Sequence, residues 1–160
     1  MGDNSEILKA LTRGIESEIA AYVFYLEAMK KVDDTSFKSI LEHLAGEEKG
    51  HFLVLERKYD SLVRSEMWNT TTDILRKDGL PEIDENMAAN HRSLIEKVRN
   101  LESKKEILDM ALDLEKEAES LFAKLAENAQ TEDAKAAFRN LAEFEKAHVK
   151  LIEKEISNLG

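Results

Sequence analysis

Cysteine is absent from this chain, which excludes disulfides, thiol catalysis, Cys-ligated zinc and iron–sulfur clusters. Any metal would have to be held by Glu, Asp and His. One Pro and six Gly are too few for a turn-rich all-β fold. No apolar run approaches the roughly 20 residues needed to span a bilayer. The N-terminus, MGDNSEILKA, carries Asp3 and Glu6 and lacks the apolar core of a signal peptide. The expectation is a cytoplasmic protein without a membrane partner. Positive charge is also scarce. Against 33 Asp+Glu stand 23 Lys+Arg, a formal net charge of −10. Such a surface repels phosphate backbones and argues against a nucleic-acid partner.

The sequence is 42% apolar and 35% charged over 160 residues. That length fits a single domain, 1–160, able to bury a core, and the composition leans towards long helices with charged outer faces. Four segments have helical periodicity. Leu11, Ile15, Glu18, Tyr22, Tyr25 and Met29 form the first stripe, with Asp3 to Ser5 as candidate caps. The run Val32 to Ser36 breaks the pattern, and Thr35 or Ser36 can cap the next helix. There Leu41, Leu44, Glu48, His51, Leu55 and Leu62 share a face. The third helix starts at Ser103, with Glu106 at capping-box spacing, and carries Leu108, Leu112, Glu115, Glu119, Phe122 and Ala126. The fourth follows Thr131 with Phe138, Leu141, Glu145, His148 and Ile152. The spacing predicts an all-α four-helix bundle made of two antiparallel hairpins, about 5–64 and 103–158. A long crossover, about 65–102, connects them. It holds Trp68, three consecutive Thr, and Gly79-Leu80-Pro81. Met87, His91, Leu94, Ile95, Val98 and Leu101 suggest a short amphipathic helix near its end.

The stripes are apolar except near their middles, where each carries a Glu and two carry a His. A carboxylate in a bundle core is costly unless it is paired or bound to metal. Glu48-x-x-His51 and Glu145-x-x-His148 lie 97 residues apart, and so do Glu18 and Glu115. In each half the first Glu precedes the Glu-x-x-His by 30 residues. The chain therefore reads as two copies of one hairpin: GIESEIAAYVFY lies over ALDLEKEAESLF, and LAGEEKGH over LAEFEKAH. The midpoint of Glu18 and Glu48 is Asp33, inside one turn. That of Glu115 and Glu145 is Gln130, beside the other. Each Glu thus sits about 22 Å from its turn, at the same height as its partner. Each His lies one helical turn along, on the same face. Two hairpins packed face to face bring four Glu and two His to one level.

One Glu from each of two helices plus Glu-x-x-His from each of the other two is the ligand set of di-iron carboxylate bundles. The candidate metal residues are Glu18, Glu48, His51, Glu115, Glu145 and His148. Four carboxylates balance two divalent ions in charge. Oxygen ligands with one imidazole per ion suit Fe or Mn, and Zn could also occupy the site.

The motifs E-x-x-A-x-x-x-Y/F (Glu18 to Tyr25, Glu115 to Phe122) and A-x-x-E-K-x-H (Ala45 to His51, Ala142 to His148) resemble those of the rubrerythrin branch of the ferritin-like superfamily. The resemblance covers most of the chain, least clearly the crossover. It implies a ferritin-like bundle holding two iron ions, with Glu48 and Glu145 as bridges and Glu18 and Glu115 as terminal ligands. His51 and His148 would each bind one ion. It also implies a homodimer, and reduction of hydrogen peroxide or dioxygen. Two departures stand out. The rubredoxin domain of rubrerythrins, with its four Cys, has no counterpart here, so electrons would come from an external donor protein. The extra Glu that rubrerythrins carry three residues after the third-helix Glu is Ala118 here, with Glu119 beside it.

A lone Glu-x-x-His in so acidic a chain would read as solvated surface. The doubling in register is what favours metal. His43 and His91, without a Glu three residues before them, read as surface or crossover residues. Glu47 and Glu143 read as solvated. Tyr22, Tyr25 and Phe122 read as core packing, although Tyr25 and Glu119 also stand as candidates for groups behind the ligands. Ferritin-type iron oxidation and storage, and a metal-free structural bundle, remain as alternative functions.

Overall fold

The computed structural model describes residues 5–67 and 91–159, and side chains for 5–61 and 91–159. Asp3, Trp68, the Thr run, Gly79-Leu80-Pro81 and Met87 lie outside those described, as does the side chain of Leu62. The described residues form five helices and no strand: α1 (Ser5–Met29), α2 (Thr35–Met67), α3 (Arg92–Arg99), α4 (Lys104–Asn128) and α5 (Glu132–Leu159). α1 packs on α2 and α4 on α5 as two hairpins, while α1 joins the halves by packing on α4. This is the all-α bundle that the periodicity predicts, with the ferritin-like form that the resemblance implies. Among the described residues no helix is long and apolar enough to cross a membrane.

The helix starts follow from local chemistry. Ser103 is the N-cap of α4: its Oγ accepts from the N–H of Glu106 at 3.1 Å, and Glu106 Oε2 reaches back to the N–H of Glu102 at 2.7 Å. Thr131 Oγ1 accepts from the N–H of Ala134 at 3.1 Å. At α2 the expected cap is corrected by one or two residues. Asp34 Oδ1, rather than Thr35 or Ser36, accepts from the N–H groups of Ser36 and Phe37 at 2.9 and 3.2 Å. A carboxylate satisfies two free donors at once and favours the positive end of the helix dipole. Asp34 also pairs with Lys104, which ties the start of α2 to the start of α4.

The core is split into two apolar clusters. One gathers Phe24, Tyr25, Leu41, Leu44, Leu108 and Ile152 with their neighbours. The other gathers Leu11, Leu55, Phe122, Phe138 and Leu141. Burying each such side chain contributes about 1.5–3 kcal/mol. α1 is buried more widely than its six-residue stripe predicts, including Ala21, Val23, Phe24 and Ala28, whereas Ile15, Tyr22 and Met29 are only half-buried. The reason is that α1 packs against three helices, α2, α4 and the short α3. α3 lies where the crossover predicts a short amphipathic helix, with Ile95 and Val98 buried.

Candidate metal centre

Each of the four long helices contributes one buried carboxylate, and α2 and α5 each add an imidazole one turn further along. Glu18, Glu48, Glu115 and Glu145 are all 0% exposed, His51 is 7% and His148 3%. The antiparallel pairing described above puts residues equidistant from each turn at one height, and hairpin packing then brings the two levels together. His51 Nδ1 lies 3.2 Å from Glu145 Oε1, 3.4 Å from Glu18 Oε2 and 3.8 Å from Glu48 Oε2. His148 Nδ1 lies 2.9 Å from Glu48 Oε1 and 3.3 Å from both Glu115 Oε2 and Glu145 Oε2. The two imidazole rings are nearly parallel, 5.8 Å apart at 17°.

A ring nitrogen has one proton or one lone pair, so it cannot satisfy three carboxylates. Both oxygens of Glu18, both of Glu48 and Oε2 of Glu145 are buried without a hydrogen bond. Orphaned buried carboxylate oxygens are rare in folded proteins and demand an explanation. Two overlapping sets of donors supply one: Glu18, Glu48, His51 and Glu145, and Glu48, Glu115, Glu145 and His148. Within each set, one ligand atom per residue lies within 4.8 Å of all the others. Glu48 and Glu145 belong to both sets. Oxygen-rich donors with one imidazole each fit divalent transition ions.

Burial and the closeness of these groups to one another set how readily each takes up a proton. Burial, with Glu145 and Glu48 beside it, pushes the Glu115 carboxyl up to about 10. Burial likewise pushes Glu18 and Glu48 far above the usual carboxylate range. For Glu145, burial is outweighed by its close polar neighbours Glu115, His148, His51 and Glu18, which hold it low. Burial also opposes charge on His148, but the carboxylates of Glu115, Glu145 and Glu48 beside it prevail and hold it protonated well above the usual imidazole range.

Two neighbours complete the geometry. Tyr25, fully buried, donates its hydroxyl to Glu115 Oε1 at 2.6 Å, so it serves the cluster as well as the core. Glu47, expected to be solvated, is corrected. Its side chain is half-buried, with Oε2 3.2 Å from His148 Nε2 and Oε1 2.5 Å from His43 Nε2. The reason is that α2 meets α5 in antiparallel register, which puts the residue before Glu48 beside the imidazole of the opposite helix. His43 itself is mostly exposed, as expected. His91 stands just before α3. Glu119 is half-buried and belongs to neither donor set, while Ala118 is buried in the core cluster below the site.

Four antiparallel helices around a buried layer of four carboxylates and two imidazoles define a ferritin-like bundle with a candidate two-metal site. The rubrerythrin family model matches residues 9–156, so the chain belongs to the rubrerythrin family. Its structure is similar to that of a hypothetical protein from Pyrococcus furiosus, with a TM-score of 0.65 and 24% identity. The alignment covers 94% of this chain and 87% of that one. Comparison with curated proteins found no match.

Proposed function

We propose that the cluster is a di-iron centre and that the protein is an oxidoreductase reducing hydrogen peroxide or dioxygen with electrons from an external donor. The observation that carries this reading is the pair of overlapping donor sets that share Glu48 and Glu145. In this reading Glu48 and Glu145, common to both sets, would serve both ions, Glu18 and His51 would help hold one, and Glu115 and His148 the other. Two ferrous ions, when bound, supply the two electrons that peroxide reduction needs. The residues do the rest. Four carboxylates neutralise two divalent ions, so the loaded layer carries no net charge into the apolar interior. Tyr25 fixes the orientation of Glu115 through its hydroxyl. The two apolar clusters on either side limit the entry of water and hence side reactions. These 160 residues contain no Cys with which to form a rubredoxin-type centre, and in this reading the external donor re-reduces the ions.

The test is metal analysis of protein purified without chelator, followed by anaerobic titration of the ferrous form with peroxide. Two irons per chain, and one peroxide consumed per pair, are expected. Retention of full metal in the Glu48→Ala, Glu145→Ala double variant would overturn the site. Oxidation of added ferrous iron far beyond two per chain, held soluble, would instead mark a storage protein.

A further inference from the structure

The 97-residue repeat makes the ligand set symmetric, and the residues behind the ligands break that symmetry. Tyr25 corresponds to Phe122, and Glu47 corresponds to Phe144. On one side Tyr25 donates to Glu115 and Glu47 meets His148 Nε2. On the other, Phe122 stands in the position equivalent to Tyr25. Its ring packs on α1 at Gly14, one turn before Glu18, where a Cβ would come within 2.9 Å of it. Phe144 lies against the His51 ring, centroids 5.0 Å apart. The asymmetry shows in the hydrogen bonding of the paired carboxylates. Both oxygens of Glu18 lack a hydrogen bond, whereas Glu115 Oε1 accepts from Tyr25 and its Oε2 faces His148 Nδ1.

We infer that the two metal positions are inequivalent and fill in order, the Glu115–His148 position first, with Glu47 as the positioning residue that sets the order. The inference rests on the two-metal reading above. With Nδ1 turned to the ion, Nε2 of His148 carries the proton and donates it to Glu47 Oε2. A carboxylate there fixes the tautomer, holds the ring and makes the imidazole a stronger ligand. Glu47 is itself held by His43 through its other oxygen. A phenyl ring at the equivalent place offers His51 no acceptor. Losing a carboxylate of this kind typically weakens metal binding about 10–100-fold.

The experiment is titration of the chelator-stripped full chain with Co(II), followed by calorimetry, visible absorption and paramagnetic proton NMR. The unaltered protein should bind two ions in two steps at least about tenfold apart. One slowly exchanging imidazole N–H resonance should grow in with the first equivalent. Glu47→Ala should weaken the first step about 10–100-fold, bring it towards the second, and abolish that slow-exchanging resonance. Glu47→Gln, which keeps an acceptor oxygen, should restore the resonance and part of the affinity. Phe144→Glu should tighten the second step. A single-step titration of the unaltered protein, or an unchanged first step and resonance in Glu47→Ala, overturns the ordering but leaves the two-metal site standing. Failure of the unaltered protein to bind cobalt overturns the two-metal reading itself.

Discussion

Stripping the metal should cost this protein a large share of its stability. Five carboxylate oxygens are buried without a hydrogen bond. Leaving one buried acceptor without a donor costs about 1–3 kcal/mol, against a net stability of about 5–15 kcal/mol for an ordinary domain. Protons relieve part of it, which is why Glu18, Glu48 and Glu115 are held protonated by their burial. The gain on loading follows from mass action: free metal at 100 times Kd adds about 2.7 kcal/mol per site, so about 5 kcal/mol for two. For a chain of this size each kcal/mol moves the melting temperature by about 2–4 °C, giving a rise of about 10–20 °C. Thermal unfolding followed by circular dichroism, with chelator and then with saturating Fe(II) or Co(II), measures it directly. Glu18→Gln should raise the metal-free melting temperature by a few degrees and shrink the metal-induced rise, since it removes one repelling carboxylate and one ligand. Metal-free and loaded forms melting within about 2 °C of each other would refute the view that these oxygens form a buried site waiting for an ion.

Tyr25→Phe should leave the fold intact but cost about 1–2 kcal/mol in the metal-free protein, because Glu115 Oε1 loses its buried donor, as chemical denaturation would show. Gly14→Ala should destabilise by up to about 2 kcal/mol. Crowding against the fully buried Phe122 ring costs about 1–3 kcal/mol and better helix propensity returns about 1. Gly46→Ala and Gly50→Ala, which meet nothing within 4 Å, should each stabilise by about 1 kcal/mol in the same assay. The metal-free protein should melt higher at pH 6 than at pH 9. Glu115, raised to about 10, and His148, also raised, bind protons more tightly when folded, so their contribution is lost as pH rises. Glu145, held low, works the other way, but only in acid below the ordinary carboxylate range. Glu119→Ala should change neither metal content nor melting temperature measurably, because Glu119 belongs to neither donor set.

The sequence by itself determined the bundle and singled out the six residues of its buried polar layer. Helical periodicity is a local property, and the apolar stripes show it directly. The duplicated Glu and Glu-x-x-His stand out because charged residues occur where the stripe demands apolar ones. Turn positions halfway between paired Glu residues fix their height, since the helix rise is constant. The N-caps at Ser103 and Thr131 were equally legible, being side chains within three residues of the donors they satisfy. What lies between helices was decided only by the tertiary structure. The extra buried face of α1 depends on three neighbours at once, and no stripe on α1 announces them. Tyr25 reaches Glu115 across 90 residues of chain, and Glu47 reaches His148 across 101. Glu47 stands on α2 among residues that look solvated, and its partner is on another helix whose rotation about its own axis sequence spacing does not give. Periodicity places a residue on one face of its own helix, but which atom of the next helix it meets depends on how the two are turned and packed. That packing set Tyr25 and Glu47 behind one half of the repeated layer and Phe122 and Phe144 behind the other.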